Sequence, residues 1–112
     1  MSIRGFPARK ILDATEVSYA AGQIVWQDGG IGIYRVTITA VWTGYTAVTV
    51  KLVASMDGGL TWSDVEDMSI TVSGDVLSKE VGPYALMGIH VTATLSASSD
   101  NIKIWYMRSE LH

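Results

Sequence analysis

The chain has 112 residues, of which 48% are hydrophobic and 17% charged, with a formal net charge of −3 and no cysteine. That length is one domain, below the size at which cores divide, and the missing cysteines exclude disulfide staples and thiolate metal sites. A mean hydropathy of +0.27 is apolar for a small free-standing domain and points to surface that meets a partner.

Charge is distributed unevenly along the chain. Residues 1–12 carry Arg4, Arg9 and Lys10 and no acid, whereas the rest carries five basic against eleven acidic residues. The expectation is an N-terminal extension or arm over 1–15, able to order on an acidic partner surface, and a single β-sandwich domain over 16–112. An acidic body repels phosphates, so no nucleic-acid partner is expected. Met1 to Ala8 lacks the apolar core of a signal peptide, and no run approaches the length of a membrane span. A product made in the cytoplasm, with no membrane partner, is expected.

Period-two alternation dominates the remainder. Glu16 to Tyr19 and Gln23 to Trp26 read as strands separated by Ala21-Gly22 and ended by Asp28-Gly29-Gly30. Tyr34, Val36, Ile38, Ala40 and Trp42 alternate with Arg35, Thr37 and Thr39. Thr43-Gly44-Tyr45 turns the chain, and Val48, Val50, Leu52 and Ala54 alternate again, which makes a hairpin of two long strands. Trp62 to Val65, then Met68-Ile70-Val72, follow; Gly74-Asp75 turns, and Leu77 to Val81 is a short strand stopped by Gly82-Pro83. Ile89, Val91, Ala93 and Leu95 alternate with His90, Thr92, Thr94 and Ser96. Ser98 to Asn101 turns, and Ile102-Lys103-Ile104 begins the return. No window shows a helical stripe with caps. The pattern predicts an all-β fold, an antiparallel β-sandwich or jelly roll of seven to eight strands.

Some strands are apolar on both faces. Trp105 and Met107 oppose Ile104 and Tyr106, and Val41 and Val53 lie on otherwise polar sides. The N-terminal segment covers these residues, or a second subunit does, or both, since aromatic and Met side chains are enriched in interface cores. Catalysis has little to build on. His90 lies on a polar strand face, His112 is terminal, and no Walker loop, GxSxG elbow or HExxH appears. Asp57, Asp64, Glu66 and Asp67 could offer oxygen ligands to Ca²⁺ but lack EF-hand spacing. No enzyme activity, metal or cofactor is expected. Trp42 belongs to the core-facing set, which leaves Trp26 and Trp105 as the indoles free for a sugar platform.

Residues 55–62, Ser-Met-Asp-Gly-Gly-Leu-Thr-Trp, fit Ser/Thr-x-Asp-x-Gly-x-Thr-Trp at every defined position, with Ser55, Asp57, Gly59, Thr61 and Trp62 at the fixed places. This resembles the Asp box, which marks a β-hairpin tip in sialidases and other β-propellers. Two glycines supply the positive φ of a tight turn, and Asp57 can fold back onto loop N–H groups. A propeller needs many such hairpins, and this chain has one. From Ile33 to Tyr106 the chain also resembles a class of small virion proteins of tailed bacteriophages. There, a strand like Thr46 to Leu52 leads into the box. A segment like Gly82-Pro83-Tyr84, a strand like Ile89 to Ala93, a Ser/Asn turn and a terminal strand follow. Many such chains carry an arginine where Gly88 or His90 stands, and the basic arm is outside the pattern.

The resemblance implies a structural protein of the virion, foremost a capsid decoration (cement) protein. It would be a trimer that binds the assembled shell through the major capsid protein or another virion protein. Arg4, Phe6, Arg9 and Lys10 are then the shell-docking candidates, and Tyr34, Trp105 and Met107 the subunit-contact candidates. The alternatives are a host-surface or glycan-binding module of a tail or fibre, and a tail or neck adaptor.

Overall fold

The computed structural model describes residues 9–15, 17–30, 32–96 and 100–110. Among these, eight strands account for the regular structure: β1 (Arg9–Thr15), β2 (Tyr19–Gly29), β3 (Tyr34–Thr43), β4 (Thr46–Ser55), β5 (Ser63–Ile70), β6 (Val76–Val81), β7 (Leu86–Thr94) and β8 (Asn101–Glu110). They form two antiparallel four-stranded sheets, with strand orders β1-β8-β3-β6 and β2-β7-β4-β5. Contacts between β1 and β2, and between β5 and β6, join the sheets along their two long sides.

The alternation expected of a half-buried strand is clearest in β3. Val36, Ile38 and Ala40 are fully buried, while the side chains between them face outward. Inward residues of both sheets, among them Ile38, Ile102 and Ile104 from one and Leu52, Ile70 and Ile89 from the other, meet in a single hydrophobic cluster. Each large aliphatic side chain so buried stabilises the fold by about 1.5–3 kcal/mol before entropy is counted. Antiparallel winding brings the β2–β3, β4–β5 and β6–β7 connections and the end of β8 to one end of the molecule. The other four connections lie at the opposite end.

Three boundaries differ from the sequence expectation. Residues 9–15 are not part of an arm; they form β1, paired with β8 from Arg9↔Tyr106 to Thr15↔Asn101. A register shift between Lys10 and Leu12 breaks the period of two there, so the segment carries no strand signature of its own. Similarly, Tyr19 to Gly29 is one continuous strand. Gly22, at φ +81°, sits in an irregular stretch of that strand and not in a turn. Val72 is exposed beyond the end of β5.

Candidate functional site

The hairpin tip between β4 and β5 is built by its own side chains. Ser55 is buried, and its Oγ accepts from the Gly59 N–H at 2.9 Å while donating to Asp57 Oδ1 at 2.7 Å. Asp57 in turn accepts from the Thr61 N–H at 3.0 Å and from the Thr61 hydroxyl at 2.5 Å. These bonds to the charged form, the Thr61 hydroxyl foremost, hold the Asp57 carboxyl down at about 2. With the folded value below the ordinary 3.8, the stabilisation is complete above pH 3.8 and is lost as pH falls towards 2. Asp57→Asn is expected to flatten the acid limb of the stability–pH curve in that window, as read by urea melts at successive pH values. Trp62 reaches further than its own hairpin. Its Cζ3 and Cη2 lie 2.9 and 3.1 Å from where a Cβ of Gly88 would be, so the indole also covers the neighbouring β7. Val53, opposite Gly88 on the same outward face, is only 2% exposed.

At the same end a second cluster ties the two sheets together. The Tyr106 hydroxyl donates to Asp28 Oδ2 at 2.8 Å, and Arg108 bonds the same oxygen at 2.9 Å and the Gly29 carbonyl at 3.1 Å. The Arg108 guanidinium lies 4.3 Å from the centroid of the Tyr34 ring, and Trp26 packs against Tyr106 at 4.4 Å. Burial and the Asp28 bond push the Tyr106 phenol well above its usual range, so it stays a neutral donor. Two expectations change here. Tyr34 is buried inside its own chain and offers no area to a second subunit, and Trp26 is committed to the core and is no free sugar platform. This cluster escaped the sequence reading because Tyr106 and Arg108, on β8, lie far along the chain from Trp26, Asp28 and Tyr34.

The outer face of the β1-β8-β3-β6 sheet carries Trp105 and Met107, both half-buried, with their strand neighbours Ile104 and Tyr106 turned inward. Across the strands, Trp105 pairs with Thr39, and Thr39 with Val76; Met107 pairs with Thr37, and Thr37 with Ser78. Val41 and Val76 are exposed beside them. The rows Trp105-Thr39-Val76 and Met107-Thr37-Ser78 are therefore uncharged. Charges flank these rows: Lys10, which is 3.1 Å from Asp13 and 6.0 Å from the Trp105 ring centroid, Lys103 on the inner strand β8 between Asp13 and Val41, and Arg35 opposite Glu80. Of the docking candidates, Arg9 and Lys10 are exposed at the start of β1, while Arg4 and Phe6 lie outside the described residues, as does His112.

The outer face of the other sheet is charged at its centre. Lys51 stands opposite His90 and forms a 2.9 Å ion pair with Asp64 on β5. His90 fits because its neighbour is Gly22, where a Cβ would come within 2.9 Å of the ring. Its Nδ1 is buried without a partner among the described residues. Burial first, then Lys51, lowers its pKa below 6.5. Its stabilising contribution as a neutral ring is thus complete above about pH 6.5 and is lost as pH falls through the lower folded value. His90→Gln is expected to remove that loss, seen as a smaller drop in melting temperature between neutral pH and pH 5. Among the described residues no three His, Cys, Asp or Glu side chains converge as a metal site, and no helix is long and apolar enough to cross a membrane.

Compared with known protein families, with characterised proteins and with solved structures, the chain matches none. Function therefore has to be argued from these surfaces.

Proposed function

We propose that the chain is a structural protein of a tailed-phage virion, a capsid decoration (cement) protein assembled by the host and acting on the particle. The observation that carries this reading is the outer face of the β1-β8-β3-β6 sheet. Its uncharged rows of Trp105, Thr39 and Val76 and of Met107 and Thr37, flanked by Lys10, Lys103 and Arg35 opposite Glu80, have the composition of an interface core within a polar rim. We assign that face to contact between subunits of a homotrimer, with Trp105 and Met107 as anchors. The strand order supports a jelly-roll reading, since it is the one produced when an eight-strand chain is wound as two Greek keys, an architecture used by viral capsid and lectin domains. The step from architecture to role is an analogy that the Asp-box and phage-protein resemblance strengthens.

The cement mechanism is mass action. A partner that binds only the assembled shell stabilises it by its binding free energy at each site, and three linked subunits add avidity. Arg4, Phe6, Arg9 and Lys10 are assigned to the major capsid protein or another virion protein. No nucleic acid, membrane, metal or catalytic step enters the reading.

Light scattering at micromolar concentration is the first test, with a trimer expected and a monomer for Trp105→Asp. A wild-type monomer would overturn the subunit assignment, and a larger ring would favour a tail or neck adaptor. Docking is tested separately by co-sedimentation with assembled capsids of its own phage. Arg4→Glu with Phe6→Ala leaves β1 intact and is expected to weaken binding; full binding by that variant would sink the docking assignment.

A further inference from the structure

The second outer face, on the β2-β7-β4-β5 sheet, is unsuited to a protein partner. Its centre holds the Lys51–Asp64 ion pair, with side-chain exposures of 27% and 68%, and an interface core there would have to bury both charges. Nucleic acid is disfavoured by Asp64, Glu66 and Asp67, all exposed along β5. A simple anion finds Lys51 already neutralised by Asp64. What the face does present is one half-exposed indole surrounded by hydrogen-bonding groups.

Trp62 rests with its six-membered ring over Gly88 and Gly59, where its Cζ2 lies 3.5 Å from a Gly59 Cβ position. Glycine at both sites lets the ring settle onto the hairpin and sheet. Its remaining exposure is therefore on the solvent side. Around it, on the same face, stand Gln27 opposite Gly88 on β2, Asp64 opposite Val53 on β5, and His90 and Lys51 one pair further along. Neighbouring strands are about 4.8 Å apart, and same-face residues along a strand about 7 Å, so these groups span about 14 Å across the sheet, within about the length of a trisaccharide. The Asp64 oxygen not paired with Lys51 accepts no hydrogen bond from a described residue, and Lys51 uses one of its three ammonium hydrogens.

We infer that this face binds a neutral oligosaccharide, with Trp62 stacking on the apolar face of one sugar ring and Asp64, Lys51 and Gln27 exchanging hydrogen bonds with hydroxyls of that ring and its neighbours. A flat rigid aromatic supplies contact area at little entropic cost, and paired donors and acceptors of zero net charge suit a polyhydroxyl ligand better than an ion. The face is open, so millimolar affinity is expected. The inference does not rest on the particle role: a monomer that binds sugar would overturn the trimer and leave this site standing.

The test is an NMR titration of the full chain, labelled with ¹⁵N, with cellohexaose, maltohexaose and chitohexaose, each to tens of millimolar. At least one sugar is expected to move the Trp62 indole N–H and the Gln27, Lys51 and His90 amides saturably while leaving the Trp105 indole in place. Asp64→Ala, an exposed position whose loss leaves the fold intact, is expected to weaken binding about tenfold or more. The inference is overturned by no saturable shift with any of the three sugars. Shifts centred on Trp105, or an Asp64→Ala variant that binds as tightly as wild type, would overturn it equally.

Discussion

Gly44→Ala is expected to be among the most damaging single-methyl additions at the described glycines. Gly44 turns β3 into β4 at φ +76°, a conformation that costs an L side chain about 1–2 kcal/mol. The larger problem is space, because a Cβ there would lie 1.6 Å from Asp100 Oδ1 and 2.3 Å from its Cγ. Asp100 cannot simply swing away. It is 2% exposed, and its Oδ2 accepts from the Ser96 N–H at 2.7 Å and from the Ser96 hydroxyl at 3.2 Å. Displacing a buried carboxylate from such bonds costs about a further 1–3 kcal/mol, so the total is about 2–5 kcal/mol. Gly74 is the internal control. Its φ is +93° but a Cβ there meets nothing within 4 Å, so Gly74→Ala should show the backbone cost alone. Urea denaturation of the two variants separates the terms; equal midpoints would refute the steric account. For a domain with about 5–15 kcal/mol of total stability, the Gly44 loss is a large fraction.

Gly88→Val is expected to expel the Trp62 indole from its seat. Gly88 lies in β7, an inner strand of its sheet, and its backbone angle is ordinary, so the effect is purely one of crowding. The obstacles are the Trp62 ring at 2.9 Å and the Trp26 carbonyl at 3.3 Å from a Cβ position. Trp62 leads straight out of the turn that Ser55, Asp57 and Thr61 hold, so the ring has little freedom to follow. Overpacking of this kind costs about 1–3 kcal/mol. The measured signs are a lower urea midpoint and red-shifted tryptophan emission. In a double-mutant cycle, Gly88→Val combined with Trp62→Leu should cost less than the sum of the single changes, because the second removes the clash of the first. Additive losses would mean that the ring does not occupy the Gly88 site.

The same two glycines show where local sequence stops being informative. That Gly44 sits in a turn is legible from the alternating runs on either side. That its hydrogen is required by Asp100, more than fifty positions later, depends on how the two ends of β8 and β3 are brought together. The octapeptide is legible in full, because each of its bonds joins residues two to four apart. Its reach across to Gly88 is not, since nothing in residues 55–62 says that β7 is the adjacent strand.

Strands with unbroken alternation, β3, β4 and β7, are readable because every second side chain is driven out of water by its own hydrophobicity, whatever the partner strand. β1 and the first half of β2 are unreadable for the opposite reason. Their register shifts put neighbouring residues on unexpected faces and leave no period to detect, so Arg9–Thr15 reads as an arm when it is an edge strand. Apolar residues outside the alternating set remain ambiguous in one dimension. Val53 is covered within the chain, Trp26 enters a polar–aromatic cluster with Tyr34, Asp28, Tyr106 and Arg108, and Trp105 and Met107 stay half-exposed. Sequence by itself therefore determined the all-β class, most strand positions and the hairpin tip, all consequences of short-range periodicity and turn chemistry. Sheet order, the polar–aromatic cluster and the side chains gathered on each outer face were decided only by tertiary structure, because each depends on which distant strands become neighbours.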